Sequence, residues 1–157
     1  MSILIVYYSR SGTTKKIANI LAEELGADLE EISSKSKRKG ILGYLKSGQE
    51  AAQKKLTEIG PTEKNPADYD LIIIGTPVWV GTMSSPIRTY INHYLGKFRK
   101  MALFSTQGSK KEQKVFRELV EVLGKEPVAT LFLSSKEVTQ DKFESELNKF
   151  VKELKNI

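Results

Sequence analysis

The chain has 157 residues, 39% hydrophobic and 28% charged, the proportions of one globular domain with room for a real core. It has no cysteine and one histidine, His93, which excludes disulfides, thiolate nucleophiles, Cys-ligated zinc, iron–sulfur clusters and multi-histidine metal sites. The net charge of +6, with a pI of about 9.4, favours acidic partners, nucleotides or anionic surfaces, and no run of about 18 apolar residues is present to cross a membrane.

The N-terminal residues Met1 to Val6 show neither a basic leader nor a cleavage site, so no signal peptide is expected and a cytoplasmic location is. Ile3 to Tyr7 is a continuous apolar run, the pattern of a strand covered on both faces. Ile17, Ala18, Ile20, Leu21 and Leu25 then recur at helical spacing, with Gly26 where a C-terminal cap belongs. Asp28 to Ile32 reads as a short second strand and Leu71 to Gly75 as a third. Ser85-Pro86 opens a helix whose buried stripe is Ile87, Tyr90, Ile91, Tyr94 and Leu95. Met101 to Phe104 is a fourth strand, and Val115, Phe116, Leu119, Val120 and Leu123 mark a helix ended by Gly124. Val128 to Leu133 is a fifth strand, and Phe143, Leu147, Phe150, Val151 and Leu154 line the last helix. Tyr7, Tyr8 and Met83 read as core, and His93 as a surface or packing residue.

Residues 33 to 67 are too many for a bare loop. Ile41, Leu42, Tyr44, Leu45, Ala52 and Leu56 predict an additional helical segment around 38–58, with basic flanks. No repeat or low-complexity tract divides the chain, so 1–157 is expected to form a single domain.

Five strands alternating with helices imply an α/β fold: a parallel sheet with helices on both faces. Ligands of such sheets bind beyond the carboxyl ends of the strands, near the switch point in strand order. The loops after strands one, three and four are therefore the candidates.

The first of them reads Ser9-Arg10-Ser11-Gly12-Thr13-Thr14 and has the makings of an anion site. The opening amides of the next helix lack intrahelical partners, Ser9, Ser11, Thr13 and Thr14 add hydroxyls, and Gly12 permits a tight turn. A serine-rich helix cap without a ligand is the plainer alternative. Arg10 either pairs with the anion or faces solvent. No Walker-type G-x-x-x-x-G-K-[ST] and no G-x-G-x-x-G follows any strand.

The pattern Ser-x-Ser-Gly-x-Thr after strand one resembles the phosphate loop of the flavodoxin family, and the likeness extends along the chain. The resemblance implies a three-layer, doubly wound, five-stranded parallel sheet in the order 2-1-3-4-5 and flavin mononucleotide (FMN) as cofactor. It places Thr76, Pro77, Val78, Trp79, Val80 and Gly81 beside the isoalloxazine ring, with Trp79 where an aromatic stacks and Gly81 near flavin N5. It places Ser105, Thr106, Gln107 and Gly108 at the pyrimidine edge. The implied function is electron transfer between partner proteins, with no catalytic side chain, because the flavin carries the chemistry. An NAD(P)H-dependent FMN oxidoreductase of the quinone-reductase type is the alternative. This chain is basic where many flavodoxins are acidic, and Gln107 stands where a second stacking tyrosine is common. The expected partners are redox proteins with acidic surfaces, or NAD(P)H, with monomer and homodimer both open. Nucleic acid is not expected, because the Lys35–Lys39 cluster lacks interleaved aromatics.

No Asp or Glu occurs from Met1 to Ala22 or from Leu71 to Lys111, so the three loops have no carboxylate nearby in sequence. Reduced FMN is anionic at N1, and such a setting predicts a less negative potential for full reduction than in acidic flavodoxins. Lys110 and Lys111 at the start of a helix oppose its dipole, so they either attract an anion or form a solvated charge pair.

Overall fold

A computed structural model describes residues 1–35, 56–108 and 114–157. The central strands form where apolar side chains run without a break. All five residues of β1 (Ile3–Tyr7) are buried, and so is the Leu71–Thr76 part of β3 (Leu71–Trp79). Alternate residues feed two cores. Ile3, Ile5, Leu71, Ile73 and Phe104 meet Ile17 and Leu21 of α1 (Thr13–Leu25) and Phe150 and Leu154 of the last helix, α5 (Glu144–Lys155). Leu4, Val6, Ile72, Ile74 and Leu103 meet Ile87 and Ile91 of α2 (Ser85–His93) and Leu119 of α3 (Lys114–Leu123).

The sheet runs β2 (Asp28–Glu31), β1, β3, β5 (Lys100–Gln107), β6 (Thr130–Ser134), all parallel. A two-residue strand, β4 (Thr82–Met83), pairs antiparallel with the end of β3 and stands off this path. With β4 set aside, the order is the expected 2-1-3-4-5. The order reverses between β1 and β3, which puts the switch point at their carboxyl ends.

Several boundaries differ from the sequence reading. β3 continues past Gly75 to Trp79 and β5 continues past Phe104 to Gln107, so two segments read as loops begin as strand. Their ladder holds through Thr76↔Ser105 and Pro77↔Thr106, because main-chain pairing does not require apolar side chains. Leu95 lies outside the buried stripe and is 51% exposed, since α2 ends at His93. A short helix, α4 (Ser135–Thr139), follows β6 directly and is started by a capping box between Ser134 and Glu137. Of the helical segment expected around 38–58, all but residues 56–58 lies outside the described residues; there Leu56 is exposed and the Thr57 amide donates to Thr89 Oγ1 at 3.0 Å.

Candidate functional site

At the end of β1 the chain adds one further ladder bond, Tyr8 N–H to the Gly75 carbonyl at 3.3 Å, and turns. Ser9 Oγ accepts the Gly12 amide at 3.1 Å and closes the turn. Gly12 is the N-cap of α1 at φ 97°, a conformation that favours glycine, and it has no side chain to take the first amides of the helix. Those amides therefore remain available to a ligand. Ser11 Oγ and Thr13 Oγ1 stand 3.4 Å apart beside them, and Ser11 and Gly12 are exposed. Main-chain donors at a helix N-terminus, surrounded by hydroxyls, suit a phosphate dianion without a metal. Arg10 and Ser9 are half-buried at the same turn. Lys15, one turn on, pairs with Glu31 at 2.6 Å, and Glu31 also accepts the Tyr7 hydroxyl at 3.2 Å. Burial, then the neighbouring Glu31 charge, pushes the Tyr7 phenol well up.

The second loop is a β-hairpin. Trp79 pairs with Thr82 across a two-residue turn, Val80-Gly81, in which both residues have positive φ, 51° and 76°. That is the twist a tight hairpin demands; glycine meets it freely, whereas a β-branched valine meets it under strain. The Trp79 ring is buried and meets the Tyr8 ring edge-on, with centroids 5.6 Å apart at 87°. Thr76 is also buried: its Oγ1 accepts the Ser84 amide at 3.0 Å and lies 3.1 Å from Ser84 Oγ, so it braces the hairpin from inside. Pro77 and Val78 are half-buried, while Val80 and Gly81 are exposed at the tip.

The third loop begins as the last residues of β5. Thr106 Oγ1 lies 2.8 Å from Thr14 Oγ1, a buried bond that ties this loop to the first. Ser105 is fully buried, and its hydroxyl has no partner among the described residues. Gln107 is half-buried and Gly108 exposed; Ser109, Lys110 and Lys111 lie outside the described residues. All three loops thus meet at the carboxyl ends of β1, β3 and β5.

Sequence reasoning placed Tyr8 in the core, where it lies, and left out Arg88 and Glu118. The loops have no carboxylate nearby in sequence, but the fold brings Glu31 to Lys15 beside the first and Glu118 to the second. Glu118 of α3 accepts the Thr82 hydroxyl, the Met83 amide at 3.2 Å and Arg88 Nη2 at 2.5 Å. Arg88 Nη2 also reaches Thr82 Oγ1 at 2.9 Å. Burial opposes the charge on Glu118, but the hydrogen bonds from Thr82, Arg88 and Met83 outweigh it and hold the carboxyl below its usual range. The guanidinium balances this carboxylate, so no net negative charge is added. A signal was present: Arg88 and Glu118 each fall on the apolar side of their helix, where a charged residue needs a buried partner.

A cavity of about 540 Å³ opens elsewhere, against β6 and α5, between Phe116, Phe132, Glu137, Glu146, Lys149 and Glu153. Its glutamates disfavour a phosphate, it shares no residue with the three loops, and it lies away from the switch point.

The fold and these loops define a doubly wound α/β protein with an open helix N-terminus and several hydroxyls at its switch point. Residues 2–154 match the family model described as Flavodoxin, and the chain belongs to the flavodoxin family. Among solved structures it is similar to a flavoprotein in complex with FMN from Lactobacillus acidophilus NCFM, at 26% identity over 95% of this chain and 97% of that one, with a TM-score of 0.71. A flavoprotein candidate from Bacteroides eggerthii DSM 20697 shares the fold at 21% identity, covering 92% and 97% of the two chains, with a TM-score of 0.72. So does a flavodoxin, WrbA-like protein from Agrobacterium tumefaciens, at 17% identity, 96% and 95% coverage and a TM-score of 0.61.

Proposed function

We propose that the protein binds FMN across the three loops and transfers electrons between redox partners. The observation that carries this reading is the Gly12-capped start of α1, with Ser9, Ser11 and Thr13 around it and the Thr14–Thr106 bond tying it to the third loop. The amides of the first turn of α1, with the Ser11 and Thr13 hydroxyls, would hold the phosphate. The Trp79–Gly81 hairpin would border the ring, and main-chain groups of 105–108 would bind its pyrimidine edge. When bound, FMN supplies one- and two-electron chemistry. The residues of this chain bind and orient it, and no side chain is asked to move a proton.

Membership of the flavodoxin family and the FMN complex of the Lactobacillus relative support the cofactor. The test is titration of FMN into the purified chain. The expected result is quenched flavin fluorescence, a raised melting temperature and markedly weaker binding of riboflavin, which lacks the phosphate. Unquenched FMN with an unchanged melting temperature would overturn the reading.

A second reading, an NAD(P)H-dependent FMN oxidoreductase, is favoured by the exposed Val80–Gly81 tip and by Gln107 in place of an aromatic, which would leave a bound flavin less shielded from an acceptor. Anaerobic stopped-flow mixing separates the two. Rapid bleaching by NADPH or NADH supports the enzyme, and uptake of single electrons without bleaching by either nucleotide supports the carrier. The net charge of +6 favours protein partners with acidic surfaces. Among the described residues, no helix is long and apolar enough to cross a membrane.

A further inference from the structure

The Val80–Gly81 turn carries a conflict. Val80 is β-branched, sits at φ 51°, and is 71% exposed, so no packing of its own holds it there. Such a conformation persists only when its surroundings over-determine it. Toward β3 the hairpin is held by the Val78↔Met83 and Trp79↔Thr82 pairs. Its other strand, β4, is only two residues long, too short to hold itself. Thr76 holds Ser84 just beyond it, and β4 itself is held by the Glu118 carboxylate, which accepts both the Thr82 hydroxyl and the Met83 amide, with Arg88 bonded to Glu118 and Thr82 together. The side chains of Arg88 and Glu118 are only 9% and 10% exposed. A buried ion pair of this kind is seldom the cheapest route to stability, and an apolar pair of similar volume often serves as well. What an apolar pair cannot do is dictate where Thr82 and Met83 sit.

We propose that Arg88 and Glu118 are positioning residues: they clamp β4 from α2 and α3, fix the Trp79–Thr82 turn, and through it set the affinity and one-electron potentials of the flavin. This rests on the FMN reading above. Neither residue needs to touch the cofactor. Because Glu118 belongs to the helix that follows the third loop, the clamp also makes the second loop sensitive to the third.

The chain supplies its own reporter, since Trp79 is the only tryptophan and heads the turn. Four variants are compared with wild type. Thr82→Val removes the shared hydroxyl, Thr82→Ser restores it, and the double variant Arg88→Met/Glu118→Leu replaces the pair with apolar bulk. Glu30→Gln is the control for plain destabilisation. Glu30 is buried on β2, which does not neighbour β3, and accepts the amides of Glu63 and Lys64.

The expected result is a shifted Trp79 emission in apo Thr82→Val and in the folded double variant, FMN binding weaker by about tenfold, and a changed gap between the two one-electron potentials. Thr82→Ser should lie near wild type. Glu30→Gln should lower the melting temperature and leave emission, affinity and potentials alone. Wild-type emission from folded apo Thr82→Val would overturn the clamp. Wild-type affinity and potentials in both folded Thr82→Val and the double variant would overturn its role toward the flavin. A wild-type chain that leaves FMN unbound would instead overturn the cofactor reading, while the apo emission still reports on the clamp.

Discussion

Thr14, in the first turn of α1, and Thr106, near the end of β5, share a buried hydrogen bond of 2.8 Å although 92 positions separate them in the chain. This contact ties the first loop to the third. Its partners are both hydroxyls, so each satisfies the other inside the core.

Removing either partner alone strands the other. Thr14→Val or Thr106→Val should each destabilise the fold by roughly 1–3 kcal/mol in urea denaturation, the cost of a buried hydroxyl left unpaired. The double variant Thr14→Val/Thr106→Val should cost clearly less than the sum, because both groups become apolar together. Strict additivity in that cycle would mean that the bond does not couple the loops.

Gly75 lies in β3 directly against the Phe104 ring. A Cβ there would meet Phe104 Cζ at 2.1 Å and Cε1 at 2.4 Å, and Phe104 is fully buried, so the ring has no free space to enter. Gly75→Ala should lower stability by about 1–3 kcal/mol. Adding Phe104→Leu should recover part of the loss, as read from melting temperatures. A melt unchanged by Gly75→Ala would show that the sheet yields there.

At the hairpin tip, Val80→Asn should raise the stability of the apo chain by about 1 kcal/mol, since asparagine tolerates positive φ and the exposed valine side chain gives up little packing. Differential scanning calorimetry would register this as a rise of several degrees. A lower melting temperature would mean that Val80 makes contacts worth more than its strain.

Glu118 also gives the fold an acid limit. Its folded-state pKa is lowered, whereas the unfolded chain titrates in the ordinary carboxylate range. The contribution is therefore fully present above that range and is lost as pH falls through the lowered value. Glu118→Gln should be less stable than wild type near neutral pH, and the difference should shrink in urea melts taken between about pH 7 and about pH 3. A difference that stays constant with pH would show that the carboxylate gains nothing from folding.

Much of this architecture is written locally. The unbroken apolar run Ile3–Tyr7 and the stripe Ile17, Ala18, Leu21 each need only their own neighbours in sequence to be recognised, and both match the observed elements. The turn from Ser9 to Thr14 was legible for the same reason: the open amides and hydroxyls at a helix N-terminus come from a few consecutive residues. Strand ends were less legible. Ser105, Thr106 and Gln107 carry no apolar pattern, and they belong to β5 because adjacent strands pair with them through main-chain groups.

By itself, then, the order of residues determined that strands and helices alternate, that both faces of the sheet are covered, and that hydroxyls crowd the first turn. Only the folded chain decided which distant groups meet: Glu118 with Thr82 and Arg88, Thr14 with Thr106, Phe104 over Gly75. The physical reason is one of range. Periodicity and capping act within a few residues, whereas a buried polar group takes whatever partner the packing of remote helices and strands brings within hydrogen-bonding distance.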